Sequence, residues 1–288
     1  MEMSVSRSNV KDLTVLVKKK LLESHLIPSG EDVVLCPHHQ VVVHGKPCCH
    51  YIISCLSSGK QFFLKILKDN DSATHCNQFL RQFRSESGDC PYPLIVAPGF
   101  DFCNERYFIY TFSHGKTLQE LAELKQISQG EWESIASKLR QCIDNLSTVH
   151  SQHYSDHNQF VPNPYADILK RKIMPKLNHR TFSALPSKTV NTVYQRCVNI
   201  IESSTYSEPT LLHMDIKPAN VVYDLETKTV SLLDFELARF GDFDYGWTQL
   251  LVTGLKNYDK EYQEYIYPYL VKGGISMEEA FQIPKFQF

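Results

Sequence analysis

The 288-residue sequence lacks the long apolar runs, the charge excess and the cysteine spacing that would place it in several familiar classes. No run approaches the roughly 18 apolar residues of a membrane-spanning helix. Residues 1–20 contain no continuous apolar segment of the signal-peptide kind, so a soluble cytoplasmic protein is expected. A formal net charge of −2 gives no electrostatic reason to expect a nucleic acid or an anionic membrane as partner. The nine cysteines form no Cys-x-x-Cys, and reduced thiols are expected. Cys36, His38, His39, His44, Cys48, Cys49 and His50 crowd one region, but without paired ligand spacing and among expected strands, so no metal site is expected there. Glycine is sparse, with 12 residues, and no Gly-x-Gly-x-x-Gly occurs. Gly115-Lys116-Thr117 has the ending of a P-loop, yet Tyr110 stands where its first glycine belongs, so that reading fails.

What is present is concentrated between Leu211 and Glu236, LLHMDIKPANVVYDLETKTVSLLDFE. His213-x-Asp215-x-x-x-x-Asn220 is followed by an apolar strand that ends in Asp234-Phe235, the pattern of the catalytic and metal-binding half of a kinase. Phosphoryl transfer to a hydroxyl needs a carboxylate beside the nucleophile, and Asp215 suits that role. It also needs hard oxygen ligands for Mg2+, and Asn220 and Asp234 suit that one. Asp and Asn are ordinary turn residues taken singly. It is the joint spacing, with apolar runs at Leu211–Leu212, Val221–Val222 and Leu232–Leu233, that is specific.

The rest of the chain is consistent with an α+β, bilobal protein kinase-like fold, with a β-rich N-lobe of about five antiparallel strands and a mainly helical C-lobe. Residues 9–24 predict an amphipathic helix with Val10, Leu13, Val17 and Leu21 on one face. Three β-like runs follow: DVVLC with QVVVHG, then HYIISCL, then KQFFLKIL. Lys65 lies inside the last, and a lysine in an apolar strand needs a partner, which in a kinase is the α/β-phosphates of the nucleotide. Lys60 and Lys68 are weaker candidates. The turn at His44-Gly45-Lys46-Pro47 is the one placed to cover phosphates. Residues 72–87 predict a helix, but one without a central glutamate for Lys65; Gln78 stands nearest that place, and Glu86 is at the far end. Tyr92–Ala97 and Arg106–Phe112 read as two more strands. Backbone groups of Thr111, Phe112 and Ser113 then suit the edge of an adenine. A helix is expected from near Thr117, and another over 130–150 with Trp132, Ile135, Leu139, Ile143, Leu146 and Val149 in the core and His150 beside them. SQHYSDHNQFVPNPY reads as a loop; helical segments are expected around 165–178 and 187–203 and after Tyr245, with Asp242 or Asp244 as cap. The implied division is an N-lobe over 1–112 for the nucleotide and a C-lobe over 113–288 for catalysis and the acceptor, with a hinge near 110–117.

LLHMDIKPANVVYD followed by LLDFELARFGDFDYG resembles the aminoglycoside phosphotransferase and choline kinase-like family. The resemblance implies phosphorylation of a small-molecule hydroxyl, with ATP or GTP as co-substrate. The acceptor classes it implies are an aminoglycoside-like antibiotic, an amino sugar or an amino alcohol. By that resemblance Asp215 is the catalytic base, Asn220 and Asp234 are the magnesium ligands, Lys65 is the phosphate-binding lysine and His213 is structural.

Asp215-Ile216-Lys217-Pro218 also echoes the D-L-K-P of protein Ser/Thr kinases, which makes Lys217 a candidate for the transferred phosphate. A protein substrate is disfavoured, because Met214 replaces the arginine that reads a phosphorylated loop, Asp234-Phe235-Glu236 replaces D-F-G, and no A-P-E follows. The alternatives are a nucleotide-binding pseudokinase acting as a scaffold, supported by the missing helix glutamate, and, less favoured, a protein Ser/Thr kinase. Acidic and tyrosine-rich residues after Asp242 are the available walls for a cationic acceptor.

Overall fold

The computed structural model describes residues 7–43, 46–67, 70–85, 90–124, 127–152, 154–156, 159–161, 192, 195, 199 and 208–241. They belong to two compact units, one of Met1–Lys116 with Val222–Glu236 and one of Thr117–Val221 with Leu237–Phe288.

The first unit opens with helix α1, Arg7–Glu23. Leu13, Val17 and Leu21 recur every four residues, so they fall on one stripe of the helix, and all three are buried. The stripe lies on a five-stranded sheet of order β1-β2-β3-β5-β4, formed by β1 (Val33–Val43), β2 (Lys46–Cys55), β3 (Gln61–Ile66), β4 (Phe100–Phe102) and β5 (Glu105–Thr111). All four pairings are antiparallel. DVVLC and QVVV, the two parts of the first β-like run, lie in a single long β1. Pro37 is tolerated within it because β1 is an edge strand, and the register shifts between Pro37 and His39.

Side chains alternate across a strand, so the sheet has two distinct faces. Phe62, Leu64 and Ile66 of β3, with Tyr107 and Ile109 of β5, join Leu13, Val17 and Leu21 in the main core. The intervening residues, Phe63 and Lys65 opposite Tyr110 and Phe108, face the other way. There Phe108 packs with Leu67, Ile95 and Tyr110 in a smaller cluster.

Tyr92–Ala97 does not form the expected strand. It makes one bridge, Ile95 to Tyr110, flanked by Val96 N–H to Ile109 O and Thr111 N–H to Leu94 O, both 2.9 Å. Pro93 lies within the segment and Pro98 follows it, and neither has an N–H to extend a ladder. The backbone of Ile95 is held instead by α2 (Asn70–Leu80): its N–H donates to Asn77 Oδ1 at 2.7 Å, and its carbonyl accepts from Asn77 Nδ2 at 3.4 Å. The fifth strand is β4, joined to β5 through Cys103-Asn104. Both turn residues have positive φ, 52° and 65°, as a two-residue hairpin of the I′ kind requires. The expected helix over 72–87 ends as α2 at Leu80 and one 3-10 turn, Arg81–Phe83.

The returning segment of this unit contains the strand Val230–Leu232, neighbour of Val221–Tyr223. Asp224 Oδ1 caps the intervening turn by accepting the N–H groups of Glu226 (2.8 Å) and Thr227 (3.3 Å). Those bonds hold its carboxyl below the ordinary range against the opposing effect of burial. Leu232 N–H donates to Pro91 O at 2.9 Å, and Tyr92 meets Phe235 edge-on at 5.5 Å. Gly115 has φ +116°, and a Cβ on it would stand 2.3 Å from the Tyr223 carbonyl oxygen. Only glycine fits there, which accounts for the P-loop-like Gly-Lys-Thr without any phosphate.

In the second unit, helix α3 (Leu118–Leu124) starts from a reciprocal cap: Thr117 Oγ1 accepts from Glu120 N–H (3.2 Å), and Glu120 Oε2 accepts from Thr117 N–H (2.7 Å). Helix α4, Gln129–Ser147, starts from the same box made by Ser128 and Glu131. Its Trp132, Ile135, Leu139, Ile143 and Leu146 are buried as their spacing predicts. The helix stops before Val149 and His150. Val149 is buried, but His150 is exposed rather than in the core, bridging to Thr210. Strand Thr210–Leu212 pairs antiparallel with Arg239–Gly241. Two short paired strands, Tyr154–Asp156 and Gln159–Val161, stand in place of the expected loop. Thr192, Gln195 and Asn199 are helical, within the helix expected over 187–203. The helices expected at 165–178 and after Tyr245, the turn at His44-Gly45, Lys68, Glu86, and Asp242 with Asp244 lie outside the described residues.

Candidate active site

In the second unit the loop that carries Asp215 leaves a strand whose three residues are all buried, so its root is fixed. His213 is buried at the strand's end, and its Nδ1 accepts the N–H of Asp215 at 3.2 Å, a structural role that needs this nitrogen unprotonated. Met214 takes φ +69°, a left-handed conformation that costs a non-glycine residue on the order of 1 kcal/mol. That reversal brings Asp215 under the 3-10 turn Pro218–Asn220, where Pro218 presets the helical φ.

The loop closes on itself through Asp215. Asn220 Nδ2 donates to the Asp215 carbonyl (2.8 Å) and to Asp215 Oδ2 (2.9 Å), and Lys217 Nζ donates to the same Oδ2 (2.6 Å). Both groups facing the Asn220 amide are acceptors, so its NH2 must point at them and its Oδ1 away. The carboxylate is thereby held by one oxygen. Asp215 Oδ1 accepts no hydrogen bond from the described residues. Asp215, Lys217 and Asn220 are thus brought together, as their spacing predicts.

In the first unit, Lys65 is only 15% exposed in its side chain and meets two carboxylates: Asp234 Oδ1 at 2.7 Å and Glu236 Oε1 at 2.6 Å. Burial alone would push its ammonium toward the neutral form, but Asp234 and then Glu236 outweigh it and hold the Lys65 pKa above its ordinary value. Asp234 sits at φ +67° just past the buried Leu232, at the entry to the 3-10 turn Phe235–Leu237. Burial, followed by the same two carboxylates, pushes the Tyr110 hydroxyl well up.

The motif makes Lys65 and Asp234 legible in the sequence. It does not do so for Glu236, because Asp-Phe-Glu shows there only as a departure from D-F-G. The signal is a second acid two residues beyond Asp234. No partner for Lys65 comes from Gln78, which is exposed and pairs with His75 (3.3 Å). Lys60 reaches the Leu26 carbonyl (3.3 Å) at an exposed position. At the end of β5, Thr111 N–H is engaged by Leu94 O, and Thr111 Oγ1 accepts Leu94 N–H (2.9 Å). Among the described residues, the N–H groups of Phe112 and Ser113 donate to no backbone carbonyl; the Phe112 ring meets His114 edge-on at 4.9 Å. His38 and His50 stand edge-on to Phe63, at 5.6 and 5.8 Å.

The Asn220 amide oxygen and the Asp234 carboxylate are hard oxygen donors of the kind magnesium takes. Among the described residues, no helix is long and apolar enough to cross a membrane.

No curated protein matches the chain in sequence. Among solved structures, a thermostable mutant of aminoglycoside phosphotransferase APH(4)-Ia, in ternary complex with ADP and hygromycin B, is similar with TM-score 0.63 and 16% identity, covering 94% of this chain and 86% of that one. The streptomycin–ATP ternary complex of APH(2")-IIa is similar with TM-score 0.57 and 14% identity, covering 99% and 86%. The GDP complex of wild-type aminoglycoside 2'-phosphotransferase-IIIa gives 0.56, 16%, 95% and 86%. These likenesses show the fold, which is the α+β kinase-like fold of the aminoglycoside phosphotransferases. The model of the phosphotransferase enzyme family, APH, matches residues 57–266, well over half of the sequence. The chain belongs to the phosphotransferase enzyme family.

Proposed function

We propose that this phosphotransferase is a small-molecule kinase that moves the γ-phosphoryl group of ATP or GTP to a hydroxyl of an aminoglycoside-like antibiotic, amino sugar or amino alcohol. The observation that carries the reading is the Asp215 carboxylate, anchored through Oδ2 by Asn220 and Lys217 while Oδ1 takes no bond from the described residues. A carboxylate held on one side and open on the other suits a group that must orient a hydroxyl and accept its proton. The nucleotide complexes of the similar structures support ADP, ATP or GDP as the kind of ligand taken.

In this reading the acceptor hydroxyl donates to Asp215 Oδ1. Its oxygen forms a bond to the γ-phosphorus as the bond from that phosphorus to the β,γ-bridging oxygen breaks. The proton passes to Asp215, and the nucleoside diphosphate leaves. Lys217, now 2.6 Å from Asp215, is placed to follow negative charge onto the transferred phosphoryl group. Asn220 and Asp234 would hold Mg2+, which when bound neutralises charge on the phosphates. Lys65 would hold the α/β-phosphates, and the backbone of Phe112 and Ser113 the base; Thr111 contributes position rather than its engaged N–H. Residues 1–112 are assigned to the nucleotide and 113–288 to catalysis and the acceptor, with the hinge near 110–117. No nucleic acid or membrane partner enters this reading.

The test is coupled ADP or GDP release with magnesium against a panel of aminoglycosides, other hydroxylated antibiotics, amino alcohols and sugars. One acceptor that stimulates release well above background, and not in Asp215→Ala, is the expected result. Bound nucleotide with no acceptor-stimulated release across the panel would count against the reading and favour a nucleotide-binding scaffold.

A further inference from the structure

We propose that Glu236 is the positioning residue for Lys65, taking the place of the helix glutamate that kinases use for their strand lysine. The inference rests on Lys65 being the phosphate-binding lysine of the proposed reaction. A strand lysine in a low-dielectric setting points at phosphates only if a fixed anion keeps it charged and aimed. The usual source is a glutamate on the helix after the strand. Here α2 serves a different purpose. Asn77, on its buried side, holds both backbone groups of Ile95, and Arg81 Nη2 adds a third bond to the Ile95 carbonyl (3.1 Å). Gln78 is exposed.

Lys65 instead has two carboxylates from one short turn, Asp234 at 2.7 Å and Glu236 at 2.6 Å. Their fates differ when nucleotide binds. Asp234, at the head of the motif and in a left-handed conformation, is the one assigned to magnesium. A carboxylate that ligates a divalent cation has less charge to offer an ammonium. Glu236 then remains as the anion that holds Lys65. Its place in the 3-10 turn Phe235–Leu237, whose Phe235 is buried against Tyr92, gives the side chain a fixed root. The side chain is 29% exposed, screened enough for the pair to matter and open enough for phosphates to approach Lys65.

The test measures binding of a fluorescent ATP analogue to the full chain in magnesium, for wild type, K65A, E236A, E236Q and K65A/E236A, with folding verified by circular dichroism. E236Q keeps the shape of the side chain and guards against a simple folding defect. The expected result is a loss of about tenfold in affinity for K65A and for each Glu236 variant. The double variant should be no weaker than K65A alone, because Glu236 acts through Lys65. The magnesium concentration for half-maximal binding should stay within about twofold of wild type in the Glu236 variants and rise in Asp234→Ala. Three outcomes overturn the assignment. Additive losses would make Glu236 independent of Lys65. A several-fold rise in the magnesium requirement of E236Q would make Glu236 a metal ligand. Wild-type affinity in K65A would remove the role of Lys65 itself. None of these readouts needs an acceptor, so they stay separate from failure to find a substrate.

Discussion

Replacing Gly115 by alanine tests whether Gly115-Lys116-Thr117 serves packing or phosphate. The structure sets two separate penalties. At φ +116° an L-residue is strained, at a cost of roughly 1–3 kcal/mol. The new Cβ would also lie 2.3 Å from the Tyr223 carbonyl oxygen, 2.6 Å from its carbon and 2.8 Å from the Asp224 Cα. All three are backbone atoms, so no rotamer change relieves the overlap. Forcing them apart adds about 1–3 kcal/mol of overpacking. The sum is roughly 2–6 kcal/mol, a large part of the stability of an ordinary domain. Two other glycines calibrate it. Gly59 has φ +68° with nothing within 4 Å of its Cβ, so Gly59→Ala should show strain alone. Gly130 lies in the first turn of α4 with open space around it, so Gly130→Ala should be neutral or stabilising by about 0.5 kcal/mol. Urea unfolding followed by far-ultraviolet circular dichroism gives the order. Gly115→Ala as stable as Gly59→Ala, but with weakened ATP binding, would refute the packing argument and restore a phosphate role for this turn.

Asp215→Ala should keep nucleotide binding and lose about 10²- to 10⁴-fold in turnover, whereas Asp234→Ala should lose magnesium-dependent nucleotide binding; unchanged turnover in both would sink the site assignment. Asn77→Ala should destabilise the first unit by about 1–3 kcal/mol by leaving the buried Ile95 N–H without its acceptor while the Ile95 carbonyl keeps Arg81, read as a lower urea midpoint than wild type. The pH dependence of the Lys65 cluster follows from its sign. The folded-state pKa lies above the ordinary 10.5, so its stabilisation is fully present below pH 10.5 and is lost as pH rises through the folded value. The stability gap between wild type and Lys65→Met should therefore be flat through neutral pH and narrow only in strong alkali; a gap that changes between pH 6 and 9 would contradict it.

Much of the fold is legible in the sequence because its signals are periodic. The four-residue repeat of Leu13, Val17 and Leu21 and the alternation in Gln61–Ile66 each state which face is buried, and burial follows. What is not legible depends on partners distant in sequence. Tyr92–Ala97 has the composition of a strand, but Pro93 and Pro98 limit its ladder and Asn77 competes for Ile95. Phe100–Phe102 is too short to announce itself, and its signal lies in the turn, where Cys103 shares a left-handed conformation with Asn104. His150 continues the spacing of α4, but the helix ends at Ser147, and beyond that point helical spacing no longer says which side chain is buried.

The site divides along the same line. Asp215, Lys217 and Asn220 lie within six residues of one another, so one local turn suffices to join them, and spacing alone reports it. Lys65 and Asp234 are separated by 169 positions; only chemistry could pair them, since a lysine inside an apolar strand demands an anion. The kinase pattern directs that demand to the following helix, where this chain has no central glutamate. Charge itself is less particular. Any acid delivered to the Phe63–Lys65 face would serve, and the motif already promises to deliver Asp234 there. An acid two residues further on, across a single 3-10 turn, is carried to the same neighbourhood by the same backbone. Glu236 is therefore better understood as a substitution that moves the lysine's counter-charge from a helix to the turn that carries Asp234 than as the loss of a glycine. That shift ties the aim of Lys65 to the conformation of one short segment, so a change in the Phe235 packing against Tyr92 should disturb nucleotide binding even though neither ring is assigned to touch the ligand.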